Sequence, residues 1–81
     1  MSLEVLKFSA TWCGPCKVLA ETLKDVEGIT SIDIDQDRQR AVDNNVRSVP
    51  TLIFLKDGVE VERTTGSMPL TRYQEIIEKL K

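Results

Sequence analysis

The chain has no histidine and two cysteines among its 81 residues, and these shortages weigh against a zinc site. A structural zinc ion takes four ligands, usually Cys or His, so two cysteines cannot complete a site within one copy. A basic surplus is missing as well: 11 Lys and Arg stand against 13 Asp and Glu, a net charge of −2. Nucleic acid and anionic lipid both require a positive field, and neither is expected as a partner. No apolar run approaches the roughly 20 residues that cross a bilayer. The start, Met1-Ser2-Leu3-Glu4-Val5, lacks the charged segment and apolar core of a signal peptide. These absences lead to the expectation of a cytoplasmic protein with no membrane attachment, no metal and no bound cofactor.

What is present is concentrated in one place. Both cysteines lie in Cys13-Gly14-Pro15-Cys16, preceded by Trp12. Two intervening residues let both thiols sit on one turn at the start of a helix, close enough to join. A Cys-x-x-Cys within a short α/β pattern reads as a dithiol redox site. A structural staple is the poorer reading, because closing a four-residue loop constrains the unfolded chain by only about 2 kcal/mol. Small domains that depend on disulfides use several bridges over longer loops.

The length fits one domain over residues 1–81, near the lower limit for a chain that folds on its own core. Leu3 to Ser9 reads as a strand with apolar residues on both faces, as an interior position requires. Pro15 sits in the first turn of a helix whose inward stripe is Cys16, Leu19, Leu23 and Val26, with Gly28 as its stop. Ile29 to Asp35 is a second strand. The polar stretch from Asp37 to about Asn45 is a short helix with Ala41 and Val42 as inward candidates. Thr51 to Leu55 is the most apolar run and a buried strand, Asp57-Gly58 a two-residue hairpin turn, and Val59 to Arg63 an edge strand. Gly66 breaks that pattern, and Pro69 opens a last helix with a stripe of Leu70, Tyr73, Ile77 and Leu80. The order β-α-β-α-β-β-α implies a four-stranded mixed sheet flanked by three helices, with the first and third strands central. No surplus apolar stripe suggests an oligomer, so a monomer is expected.

A thiol attacks a disulfide as its thiolate, and a free cysteine is mostly protonated at neutral pH. Cys13, at the N-terminus of the first helix, gains from the unpaired N–H groups and the helix dipole. It is expected to be the more exposed sulfur and the attacker, with Cys16 resolving the mixed disulfide.

Trp-Cys-Gly-Pro-Cys-Lys at 12–17 resembles the active-site hexapeptide of the thioredoxin family. Ile34-Asp35-Gln36, Val49-Pro50-Thr51-Leu52, Lys56-Asp57-Gly58 and Gly66 resemble thioredoxin segments in order and spacing. The likeness covers nearly the whole chain, without the family's usual first strand and first helix, and implies a trimmed, glutaredoxin-sized version of the thioredoxin-like fold. It also implies that Pro50 follows a cis peptide bond and faces the cysteines. By the same likeness the Val49 backbone pairs with an extended substrate, and Trp12, Gly14, Pro15 and Gly66 line the substrate groove. A packing role for Trp12 and a strand-terminating role for Gly66 are the alternatives.

The resemblance implies reduction of protein disulfides by the Cys13–Cys16 pair, with electrons from thioredoxin reductase or, as a second donor, glutathione. A disulfide oxidase or isomerase and a non-catalytic binding module are the competing classes. The chain departs from the family at Lys7, six residues before Cys13, where thioredoxins usually carry a buried acid. The acid's usual lysine partner corresponds to Ser31. Lys7 is read as tuning the Cys16 thiolate, with escape of its head to solvent as the alternative. Ser9 replaces a frequent aromatic residue and should leave the site more open. The charged run Asp33, Asp35, Asp37, Arg38 and Arg40 reads as a solvated face.

Overall fold

The computed structural model describes residues 2–81. Its elements are β1 (Leu3–Ser9), α1 (Gly14–Thr22), β2 (Ile29–Asp33), α2 (Arg38–Asp43), β3 (Thr51–Lys56), β4 (Val59–Thr65) and α3 (Leu70–Leu80). They form one mixed sheet in the order β2-β1-β3-β4, so β1 and β3 are central and β4 is an edge, as expected. β1 runs parallel to β2 and antiparallel to β3.

Both central strands are buried on two faces. Val5, Leu52 and Phe54 point toward α1 and α3, where they meet Leu19, Leu23, Tyr73 and Ile76. Leu6, Phe8 and Ile53 point the other way and meet Ile32 and Ala41 of α2. Phe54 and Tyr73 stack at a tilt with ring centroids 5.9 Å apart, a geometry that adds to their burial. The alternation along β1 therefore sorts residues by helix layer rather than into core and solvent.

Several local features differ from the sequence reading, each for a geometric reason. α2 is only six residues long, and neighbouring residues on a helix point about 100° apart. Ala41 takes the inward direction, and Val42 is 71% exposed. The stripe on α3 is Tyr73, Ile76, Ile77 and Leu80, the i, i+3, i+4, i+7 spacing of a broad apolar face. Leu70 lies outside it at 38% exposure, whereas Ile76 is buried. α1 stops at Thr22, and turns carry the chain to Gly28, whose φ of +84° serves the entry into β2 rather than a helix cap. β2 ends at Asp33, because the residues that follow form a turn, with the Gln36 and Asp37 amides donating to the Asp33 carbonyl.

β4 has a bulge and an attachment that matters for the site. The register shifts beside Phe54 and Leu55, which face Glu62 and Glu60, so that Val61 is a bulged extra residue on the edge strand. The Arg63 guanidinium pairs with both oxygens of Glu60 and donates to the carbonyls of Asn44 and Asn45 just past α2. This fork anchors the loop leading from α2 to β3. The Asp57-Gly58 turn has positive φ at both residues, 53° and 86°, as a tight hairpin of this hand requires.

Burial pushes the Tyr73 phenol above its ordinary value of about 10. The folded state therefore keeps the neutral phenol, and this stabilisation is complete below the unfolded pKa and lost as pH rises past it. Urea unfolding midpoints of the parent should fall above about pH 10, and the fall should be shallower in Tyr73→Phe.

Candidate active site

Antiparallel pairing puts the end of β1 beside the start of β3, with Phe8 opposite Thr51. The chain leaving β1 turns through Ala10 to Trp12 and enters α1, while the chain entering β3 arrives through Val49 and Pro50. The two connections meet at the cysteines. Ala10, Cys13 and Cys16 form a small buried cluster with Ile34 and Val49 packed against it.

Cys13 is the N-cap of α1, with extended backbone, and its Sγ accepts the Cys16 amide N–H at 3.1 Å. Sulfur thus takes the place that a Ser or Asp oxygen fills at most helix starts. Pro15 sits in the first turn, where a missing N–H costs nothing. Cys13 and Cys16 are joined as a disulfide with Cα atoms 5.2 Å apart. An amide aimed at Cys13 Sγ from a helix N-terminus favours negative charge on that atom once the bond opens.

As whole residues the two cysteines are almost equally buried: Cys13 is 5% and Cys16 4% exposed. The reason is the loop before β3. The Val49 carbonyl oxygen lies 3.7 Å from Cys13 Sγ and covers it. The Val49–Pro50 bond is cis, as the resemblance implied, and Pro50 is fully buried. The strand ladder begins at Thr51, so the Val49 backbone stands outside it. Gly66 donates its N–H to the Pro50 carbonyl at 2.9 Å, with φ of +85° and open space where a Cβ would point. Trp12, Gly14 and Pro15 are exposed beside the disulfide.

Trp12 is 66% exposed and does not pack into the core; its indole Nε1 donates to Asp35 Oδ2 at 2.8 Å. The Asp35 amide in turn donates to Asp33 Oδ1 at 2.8 Å, and Asp37 caps α2 through the Arg40 amide. Three carboxylates read as a solvated face therefore have separate structural tasks. Only the Asp-x-Asp-x-Asp spacing, typical of turns and caps, signalled this in the sequence. Lys7 is half-buried on the α1 side of β1, between Ser31 of β2 and Leu52 of β3. Among the described residues it has no ion-pair partner, and none form a metal-binding cluster.

The family model for thioredoxin matches residues 2–79. Thioredoxin of Staphylococcus saprophyticus is 38% identical over 84 residues, spanning 95% of this chain and 81% of that protein. Thioredoxin of Staphylococcus aureus has the same identity and coverage. Among solved structures, reduced Schistosoma mansoni thioredoxin pre-protein superposes with a TM-score of 0.86 at 32% identity, covering 95% of this chain and 77% of that one. A mutant thioredoxin from Halobacterium salinarum gives 0.85 at 34% identity, covering 95% and 73%.

Trp12 is the sole tryptophan, so its tether is open to direct test. Asp35→Ala should free the ring and lower its fluorescence anisotropy. Losing one exposed hydrogen bond should cost no more than about 1 kcal/mol of stability in urea.

Proposed function

The chain belongs to the thioredoxin family and is a thiol–disulfide oxidoreductase, and on that premise we propose that it works as a reductant of protein disulfides. Cys13 is the attacking sulfur. The observation that carries this reading is the Cys16 amide directed at Cys13 Sγ from the first turn of α1, which stabilises the thiolate that attack requires. Cys13 forms a mixed disulfide with the substrate. Cys16 then attacks Cys13 Sγ, the substrate leaves as a thiolate, and the protein is left oxidised.

Substrate binding follows from the groove around the disulfide. The Val49 backbone, free of the sheet ladder, pairs with an extended stretch of substrate. Pro50 and Gly66 hold that backbone in place, and Trp12, Gly14 and Pro15 form the opposite rim. Lys7 tunes the pair from beneath, since a cation on the α1 side of β1 favours the Cys16 thiolate. Electrons return from a thioredoxin reductase, and the protein acts as a monomer in the cytoplasm. No helix among the described residues is long and apolar enough to cross a membrane.

A redox-buffer titration followed by Trp12 fluorescence tests the direction of the reaction. A potential near or below about −250 mV supports the reductant, and one above about −190 mV places the protein with oxidants and isomerases. Cys16→Ser should trap substrate on Cys13, and Cys13→Ser should trap none. With Cys13 replaced by Ser, adding Lys7→Met should raise the Cys16 thiol midpoint; an unchanged midpoint discards the role given to Lys7.

A further inference from the structure

Resolution requires Cys16 to lose a proton, and the Lys7 cation, assigned above to tune it, cannot accept one. A carboxylate does reach the same space from another strand. In the parallel pairing of β1 with β2, Lys7 stands beside Ser31 and Ser9 beside Asp33, so these four residues share the α1 side of the sheet. Between that side and the start of α1 lies a pocket of about 310 Å³, open to solvent and lined by Ser9, Ala10, Thr11, Cys16, Lys17, Ala20 and Asp33. The small side chains of Ser9 and Ala20 leave the space open.

We propose that Asp33 is the proton acceptor for Cys16 during resolution, acting across this cavity through water. The assignment rests on the reading above, in which Cys13 attacks and Cys16 resolves. The pocket opens to solvent, so water enters it freely, and it offers polar groups on its wall to hold a bridging molecule. Asp33 has one oxygen committed, since Oδ1 accepts the Asp35 amide. No partner within the described residues is found for Oδ2, which leaves it available to the cavity. The charged groups around Asp33 are Lys17 from α1, which lines the same space, Lys7 farther along the same side of β1, and Asp35 in the turn, held by Trp12.

The step balances as follows. The Cys16 thiol gives its proton by way of water to the Asp33 carboxylate. The resulting Cys16 thiolate attacks Cys13 Sγ, and a Cys13–Cys16 bond forms as the bond from Cys13 to the substrate sulfur breaks. The electron pair leaves on the substrate, now reduced, while the protein pair is oxidised. Asp33 returns the proton to solvent, from which the departing thiolate is protonated.

Asp33→Asn separates this role from the structural one. The amide oxygen still accepts the Asp35 N–H, so the turn and the Trp12 tether are kept, but the proton acceptor is gone. Reduced protein is mixed rapidly with a disulfide-bonded peptide at neutral pH, quenched with acid, and the mixed disulfide quantified by mass spectrometry. In Asp33→Asn the mixed disulfide should form at the parental rate and resolve about a hundredfold more slowly, at the lower end of what a positioned base contributes. Ser9→Phe, which fills the cavity, should slow the same step. With Cys13 replaced by Ser, Asp33→Asn should lower the Cys16 thiol midpoint, because a neighbouring negative charge is removed. Slower resolution despite a more readily ionised thiol distinguishes a lost proton acceptor from a lost charge or a disturbed fold. Unchanged resolution in Asp33→Asn, or an unchanged midpoint, overturns the assignment. If the parent forms no mixed disulfide on Cys13, the reading of Cys13 as attacker falls and Asp33 falls with it.

Discussion

The site depends on one pairing, that of β1 with β3. Because the two central strands are antiparallel, the exit of one lies beside the entrance of the other, with Phe8 opposite Thr51. Everything reactive hangs on those two ends. The segment after β1 carries the cysteines, and the segment before β3 carries Val49 and Pro50, so the Val49 carbonyl comes to 3.7 Å from Cys13 Sγ without any direct link between the loops. Burial of both strands on two faces fixes their register, since a slip of one residue would send Phe8 and Phe54 to the wrong helix layers. The edge strand contributes indirectly, through Arg63 on the carbonyls after α2 and Gly66 on the Pro50 carbonyl.

The α1 side of the sheet shows a compromise between packing and chemistry. Val5, Leu52 and Phe54 build the core there, and toward the helix start the pattern turns polar, with Lys7 and Ser9 on β1 and Ser31 and Asp33 on β2. A fully apolar lining would pack better, yet the wall beside Cys16 carries the Asp33 carboxylate and the Lys17 ammonium. Titratable groups are tolerated here because the pocket lies at the strand ends, while the two large aromatic rings stack deeper in the same layer.

Much of this was legible in the sequence, and the rest fails for identifiable reasons. The bounds of β1, the Asp57-Gly58 turn and the redox pair follow from local rules of alternation, turn chemistry and spacing. Periodicity went astray where an element is short or wide: Val42 is adjacent to the inward Ala41 on a six-residue helix, and Ile76 broadens a face read as a single line through Leu70. The bulge at Val61 was invisible because clean alternation carries no sign of an extra residue. Asp33 and Asp35 looked alike in the sequence, and only the strand register separates one that faces the cavity from one that holds Trp12. The deep burial of Cys13 was likewise unreadable, since the Val49 carbonyl against it comes from a loop distant along the chain.

The sulfur ring spans three residues of sequence separation within a single helical turn. So small a ring ties together residues of that turn alone and braces no strand or other helix against another. The stability of the fold therefore rests on the two apolar clusters on either side of the sheet, and the sulfur–sulfur bond can break without removing a brace between elements.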